Sequence, residues 1–231
     1  MGRSLDQIEG SLVNTETVQC DFEVRISELE SSQAQLQKQV TWLQLQQDDA
    51  ENRSRRNNIR LRGLPESVKG PELRTTVVGI LNGVLERPQM EKMEIDRVHR
   101  VKAPRRTVTE LIPDVLIRIH LFSLKEDIMR QAWAKGQIEY EGSQLKLLPD
   151  LSRGTLKMRA AIKPLLEVIR KVGATYFWGH PFHLKVVKDR ETFLLKWPDQ
   201  LPGLFTFLGC APIHVSDWID VLGNSVNYYM N

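Results

Sequence analysis

The chain has 231 residues, of which 41% are hydrophobic and 26% charged, enough for one or two small globular domains and too few for a large multidomain enzyme. No apolar run reaches the roughly 20 residues that span a membrane, and the N-terminus lacks the apolar core of a signal peptide. Cys20 and Cys210 can build neither a disulfide framework nor a zinc ribbon. We therefore predict a protein of a reducing compartment with no membrane partner.

The net charge of +3 conceals an uneven distribution of charge along the chain. Residues 1–50 carry 3 Lys or Arg against 9 Asp or Glu, whereas residues 51–231 carry 29 against 20. The first part is acidic, with a net charge of −6, and the rest is basic, with a net charge of +9. This division suggests an acidic spacer or oligomerisation element joined to a basic body that approaches a polyanion.

Residues 1–52 are predicted to form one long helix with a heptad repeat. The first 50 residues contain no Pro, and Gly occurs there only at positions 2 and 10. With Leu5 at position a, eleven of fifteen a and d positions are apolar, and the register never slips over seven heptads. A strict seven-residue repeat favours a parallel coiled coil over a helix packed on its own domain, which follows a period of 3.6.

Within this repeat, the segment 25–30 indicates how many helices associate. Arg25 falls at g, Ile26 at a, Leu29 at d and Glu30 at e. The segment resembles the R-h-x-x-h-E trimerisation motif, in which the Arg reaches the Glu of the next chain. We therefore predict a homotrimer in preference to a dimer.

The next region, residues 53–149, begins with five arginines in ten residues and no lysine: Arg53, Arg55, Arg56, Arg60 and Arg62. A solvated charge run is the simplest interpretation of such a cluster. Exclusive use of Arg instead favours planar, multidentate recognition of phosphate. Two further arginines, Arg97 and Arg100, lie on the next predicted strand.

Residues 53–149 are predicted to fold in the order β-α-β-β-α-β, with helices over 71–86 and 123–135 and strands over 59–64, 94–101 and 115–121. Ser123 is the predicted cap of the second helix, with Glu126 three residues later. This order is that of the split βαβ, or ferredoxin-like, fold of RNA-recognition modules. The two central strands contain no Phe, Tyr or Trp, so affinity for RNA would come mainly from Arg and Lys.

Residues 150–209 are predicted to be a small C-terminal α+β domain that binds nucleic acid. A helix from Ser152 to Gly173 carries Arg153, Lys157 and Arg159, and aromatic-rich strands follow it. Residues 176–178 (Tyr-Phe-Trp) could stack bases or fill the core. Residues 210–231 form a tail without an assigned role. The predicted fold class of the whole chain is α+β.

These segments together resemble the first-open-reading-frame proteins of LINE-type retrotransposons. The resemblance rests on residues 51–60 (ENRSRRNNIR), 97–101 (RVHRV), 105–106 (RR), 132–136 (AWAKG) and 150–156 (DLSRGTL), in the family's order and spacing over about residues 20–208. The coiled coil is short for the family, as if an N-terminal region were missing.

The resemblance implies a homotrimeric RNA-binding chaperone that coats its own transcript in a ribonucleoprotein particle. It implies cytoplasmic particles, leaves entry into the nucleus open, and suggests single-stranded DNA and the element's endonuclease and reverse-transcriptase protein as further partners. By position it marks Arg53, Arg56, Arg100, Arg105, Arg106, Lys135 and Arg159 as RNA contacts. Together with the charge pattern, this makes thirteen candidates: Arg53, Arg55, Arg56, Arg60, Arg62, Arg97, Arg100, Arg105, Arg106, Lys135, Arg153, Lys157 and Arg159.

The alternative is a coiled-coil adaptor, a degenerate or domesticated copy whose RNA binding is weakened or lost. The missing stacking aromatics favour it, as do departures from the family's pattern at Asp114, Trp133, Ala160 and His180. An enzyme is not expected, because no catalytic motif is present. We expect neither a cofactor nor a metal, although His180, His183, Cys210 and His214 could be drawn as a ligand set.

Overall fold

The computed structural model describes residues 2–101 and 112–223, with side chains described for residues 16–101 and 112–222. It is an α+β structure with a long N-terminal helix and antiparallel sheets, which confirms the predicted class at that level. The elements in chain order are α1 Gly2–Arg55, β1 Asn58–Arg62, α2 Pro71–Val84, β2 Ile95–Arg100, β3 Val115–Ile119, α3 Phe122–Lys135, β4 Ile138–Tyr140, β5 Ser143–Pro149, α4 Arg153–Ala161, α5 Lys163–Lys171, β6 Thr175–Gly179, β7 His183–Lys188, β8 Glu191–Leu195, a 3-10 turn Pro198–Gln200, α6 Leu201–Leu208 and α7 Asp220–Gly223.

The chain divides into two compact units. The central unit is the continuous stretch from Asp48 to Leu156. The split unit combines the chain up to Gln47 with the chain from Lys157 onward. Each unit has its own hydrophobic core.

The central unit is built on a five-stranded antiparallel sheet with the order β2-β3-β1-β5-β4. β1 and β2 therefore run in the same direction with β3 between them, and β3 and β5 run in the same direction with β1 between them. Because side chains alternate along a strand, Ile59 and Leu61 are buried in the core while Arg60 and Arg62 lie on the other face. Helices α2 and α3 pack against this face of the sheet and contribute Leu81 and Ile128, among others, to the core.

Helix α3 begins earlier than the sequence predicted. Its first residue is Phe122, Leu121 occupies the cap position with extended backbone angles, and no side chain caps the helix. The prediction that Ser123 caps this helix is therefore wrong. The backbone N–H of Lys125 already donates to the carbonyl of Leu121 at 3.2 Å, so Ser123 lies inside the first turn.

The predicted continuous helix from Ser152 to Gly173 is two helices, α4 and α5, separated at Ile162. Pro164 stands at the second position of α5. A proline has no backbone N–H to donate to a preceding turn, and its ring clashes with that turn's carbonyl. The break lets Leu165 and Ile169 of α5 enter the core of the split unit.

The split unit contains the three-stranded antiparallel sheet β6-β7-β8. Leu184, Val186 and Leu195 are buried in its core, where Trp218 from the segment after Cys210 is completely buried. β7 and β8 are joined by Asp189 and Arg190, both with positive φ (51° and 70°), which is the backbone that a two-residue hairpin turn requires.

Candidate nucleic-acid interface

The face of the central sheet that points away from the core is rich in cations. Arg60 and Arg62 lie on this face of β1, Arg118 on β3 and Lys146 on β5, with Arg62 directly opposite Lys146. A bulge between Ile95 and Arg97 shifts the register of β2, so Ile95 is buried while Arg97 is exposed opposite Arg118. We call this surface the open face.

Three predicted arginines on or beside the open face alternate with two carboxylates, an arrangement that we call the charge ladder. Arg55 lies 3.4 Å from Asp150 Oδ1, and the guanidinium of Arg60 donates to the same oxygen at 2.7 Å. Arg60 also lies 3.5 Å from Asp114 Oδ2, and Arg62 binds both oxygens of Asp114 at 3.0 Å. The ladder holds the arginines in place and neutralises part of their charge.

The two carboxylates of the charge ladder differ in exposure. The side chain of Asp150 is only 2% exposed and also accepts a hydrogen bond from the Asn58 amide at 3.0 Å. Asp114 is 12% exposed. Burial raises the pKa of Asp114. Hydrogen bonds from Arg62 and Arg60, together with their electrostatic attraction, outweigh this effect, so the pKa of Asp114 lies below its usual value. Correspondingly, the hydrogen bond to Asp114 raises the pKa of Arg62.

Arg53 lies in the last turn of α1 and Arg56 directly follows the helix, both in the central unit. The Nε of Arg53 donates to Asp49 at 2.7 Å, and its side chain remains 69% exposed. The guanidinium of Arg56 lies over the ring of Phe122, 5.6 Å from its centroid. Both side chains are therefore accessible on the surface.

Arg100 is engaged by the backbone of its own unit. Its Nη1 donates to the carbonyls of Leu64 (3.1 Å) and Pro113 (3.0 Å), and its Nη2 donates to those of Pro65 and Val68. Burial lowers its pKa. Four backbone carbonyls thus give Arg100 a structural role, and its RNA contact stays a prediction.

Lys135 lies apart from the charge ladder, at the end of α3. Its Nζ donates to the carbonyl of Gly83 in α2 at 2.8 Å and lies 3.3 Å from Glu86. It lines a groove of about 600 Å³ between α2 and β4, together with Gly79 and Tyr140. Arg105 and Arg106 lie outside the described residues.

The remaining candidates follow β5. Arg153 is exposed at the start of α4, and Lys157 is half-buried one turn later. Arg159 belongs to the split unit, where its guanidinium stacks on Trp178 at 4.4 Å from the ring centroid. Burial lowers the pKa of Arg159 to about 10. The described candidates therefore lie in several different surroundings.

Sequence reasoning missed a buried polar network in the central unit, formed by Asp48, Asn52, Ser152 and Thr155. Asp48 accepts from the backbone N–H of Thr155 at 3.0 Å, from its hydroxyl at 2.6 Å, and from the hydroxyl of Ser152. The Asn52 amide donates to both hydroxyls and accepts from the backbone N–H of Ser152 at 2.9 Å. Asp48 and Asn52 are four residues apart and so share one helix face, which is a signal that the sequence does carry.

The predicted trimerisation residues lie on an uncovered helix. Ile26 is 54% exposed and Leu29 is 70% exposed, and neither contacts the hydrophobic core. Arg25 and Glu30 are exposed beside them. Other apolar residues at a and d positions are equally uncovered: Phe22, Leu36, Val40 and Leu43.

No helix among the described residues is both long and apolar enough to cross a membrane. Within the same residues, no group of three or more His, Cys, Asp or Glu side chains is arranged to hold a metal ion.

Comparison with known proteins relates the chain to retrotransposons. It is 29% identical to the LINE-1 type transposase domain-containing protein 1 of Mus musculus over 179 residues, which are 72% of this chain and 22% of that protein. It is 26% identical to the LINE-1 retrotransposable element ORF1 protein of Mus musculus over 147 residues, which are 60% of this chain and 40% of that protein. The chain thus spans less than half of either relative, and no family model matches it. These similarities confirm, at modest identity, the predicted resemblance to LINE ORF1 proteins.

Proposed function

We propose, starting from the likeness to LINE-1 ORF1 proteins, that this chain is a homotrimeric single-stranded RNA-binding protein and nucleic-acid chaperone. It would coat a retrotransposon transcript in a ribonucleoprotein particle and so support retrotransposition. Such particles would form in the cytoplasm, with nuclear entry left open, and would offer a surface to the element's endonuclease and reverse-transcriptase protein.

The observation that carries the proposal is the open face of the central sheet. Five cations occupy it, namely Arg60, Arg62, Arg97, Arg118 and Lys146. Arg62 uses two of the five N–H donors of its guanidinium on Asp114, which leaves three for a phosphate. Its side chain is 57% exposed, so these donors can be reached by a strand of RNA.

The fold of the central unit supports this assignment. Its strand order and its two interleaved β-α-β segments match a ferredoxin-like, RRM-type domain. The open face lacks aromatic residues on β1 and β3, where RNA-recognition modules stack bases. Contacts to phosphate read little sequence, so we expect this unit to accept many RNAs and single-stranded DNA.

The uncovered seam of α1 supports the coiled-coil trimer. A helix that exposes Ile26, Leu29 and Leu43 would bury them against other copies of itself. Three open faces tethered together would bind one strand with an avidity about 100-fold or more above that of a single face. Neutralised strands that exchange rapidly among these faces would anneal more readily.

The experiment that tests the proposal is a salt titration of binding to a 20-nucleotide oligouridine, with the mass of the same sample measured by light scattering. We expect a trimer whose affinity falls steeply as salt rises. A protein that binds no single-stranded RNA at low salt would contradict the proposal. A dimer would overturn the trimeric part and leave the RNA binding intact.

A coiled-coil adaptor is the second candidate, and the charge ladder favours it. Asp114 and Asp150 already bind three arginines, as expected of a surface whose charge serves the fold. An adaptor would keep its protein partners when Arg97 and Arg118 are changed to Glu, because its contacts would lie elsewhere. Loss of oligouridine binding in this variant, with an unchanged mass, would instead favour the RNA-binding proposal.

A further inference from the structure

The aromatic run of β6 is divided between the two faces of the split unit's sheet. Tyr176 and Trp178 point toward the core, where their rings lie edge to face with centroids 6.2 Å apart. Arginines already lie against both rings, Arg170 at 5.3 Å from the Tyr176 centroid and Arg159 at 4.4 Å from that of Trp178. Phe177, between them, points outward and is 58% exposed.

Phe177 lies in a cross-strand row on the outer face of this sheet. Lys185 of β7 is directly opposite Phe177, and Leu194 of β8 is directly opposite Lys185. Side chains at directly opposed positions are close neighbours, with Cβ atoms roughly 5 Å apart. The row therefore places an exposed ring beside a solvated ammonium and a second apolar side chain.

The outer face carries positive charge without compensation from the sheet itself. Among the described residues of β6, β7 and β8, no Asp or Glu points outward. Glu191 of β8 is two residues from Phe193 and therefore points inward, as Phe193 does, whereas Thr192 between them points outward. Lys185 is exposed and forms no ion pair in the described structure. His183 lies at the end of the same face, opposite Gly179.

This combination fits a nucleic-acid strand better than a protein partner. Lysine is depleted at the buried centre of protein interfaces, because its strongly hydrated charge is costly to desolvate there. Lys185 occupies the middle of the row, between Phe177 and Leu194. Proteins that hold single strands use this combination, an aromatic ring for the base and a neighbouring cation for the phosphate.

We propose that the outer face of the β6-β7-β8 sheet is a base-stacking site for single-stranded nucleic acid. Phe177 stacks on an unpaired base, Leu194 extends the apolar surface, and Lys185 contacts a phosphate. This inference rests on the proposed RNA binding and adds a second mode to it, because stacking requires bases whereas the open face requires only phosphates.

The test compares two 20-nucleotide single-stranded DNA ligands with equal numbers of phosphates, an oligothymidine and an abasic strand. For the full wild-type chain, we expect tighter binding of oligothymidine. Phe177→Ala should weaken oligothymidine binding by about tenfold and leave binding of the abasic strand unchanged. Phe177→Tyr, which keeps an aromatic ring, should retain most of the wild-type affinity for oligothymidine. Trp42→Ala is the matched control, since Trp42 is a 59% exposed aromatic of the same unit on α1.

Photocrosslinking supplies a readout that does not depend on affinity. An RNA 20-mer with 5-iodouracil at every third position should crosslink to Phe177 in the wild-type chain.

Equal binding of both DNA ligands by the wild-type chain, or an unchanged affinity of Phe177→Ala for oligothymidine, would overturn the stacking site while leaving the proposed RNA binding intact. A change of oligomeric mass in Phe177→Ala would overturn it by identifying the face as a protein contact. A wild-type chain that binds none of these strands would refute the proposed function itself.

Discussion

The two sheets of the molecule present different outer surfaces. The open face of the central sheet carries arginines whose charge is partly neutralised by Asp114 and Asp150, and its two central strands have no aromatic residue. The outer face of the split unit's sheet carries the exposed ring of Phe177 beside Lys185, and its strands direct no carboxylate outward among the described residues. The comparison shows that counting basic residues does not locate a binding surface, since the acids and rings around each cation decide what it can bind.

The largest expected effect is a loss of RNA affinity that involves both the open face and the outer face of the β6-β7-β8 sheet. Ile26→Asp places a charge in the predicted seam and should convert the proposed trimer to monomers. The apparent affinity for long single-stranded RNA should then fall by about 100-fold, measured by fluorescence anisotropy beside light scattering. Val24→Asp is the matched control, because Val24 is equally exposed two residues away and lies outside the a and d positions. Equal losses in the two variants would argue against the seam.

The second prediction separates the open face from other basic surface. Arg97→Gln combined with Arg118→Gln should remove two phosphate contacts, lower the salt slope by about 1.4 and weaken binding about 25-fold at 0.1 M salt. Arg87→Gln with Arg130→Gln removes the same charge from the loop after α2 and from α3, and should have little effect. Identical losses in both pairs would mean that net charge alone drives binding.

The third prediction concerns the carboxylate that restrains Arg62. Asp114→Asn should free the Arg62 guanidinium for phosphate and tighten oligouridine binding about fivefold at 0.1 M salt, the value of one added contact. Asp127→Asn on α3 makes the same charge change beside Arg130, away from the open face. Affinity that rises equally in both variants, or that falls in Asp114→Asn, would contradict a restraining role for Asp114.

The smallest effect is on stability in acid. Because the folded pKa of Asp114 lies below its unfolded value of about 3.9, its ion pairs stabilise the protein above that pH and are lost as pH falls through the lowered folded value. The wild-type chain should therefore have a Tm up to about 2 °C above that of Asp114→Asn at pH 5. The difference should shrink toward pH 2.5 in thermal melts by circular dichroism. A difference that stays constant would exclude this carboxylate as the titrating group.

Local patterns predicted much of the fold. Alternation of apolar and basic residues located β1, and Pro71 marked the first position of α2. The break at Ile162 was missed, although the effect of Pro164 on the preceding turn can be read from the sequence. Ser123 misled the prediction because a cap depends on where the backbone turns, and Leu121 takes that conformation instead.

The surroundings of the arginines could not be predicted in the same way. Asp114 lies 52 residues from Arg62 in the chain, and Asp150 lies 90 residues from Arg60, so their pairing depends on the sheet register. The same holds for Arg100, because three of its four carbonyl partners come from a loop more than 30 residues away. The outward direction of Phe177, in contrast, follows from strand alternation once β6 is located.

The buried network of Asp48, Asn52, Ser152 and Thr155 has a consequence for the chain's topology. Hydrogen bonds between residues about 100 positions apart join the first turns of the central unit to its last. A unit whose two ends meet can be opened at a surface turn and closed at its original ends by a short linker. The central unit is therefore suited to circular permutation, for example with new termini at the Glu141-Gly142 turn, and to transfer as a cassette into another host chain.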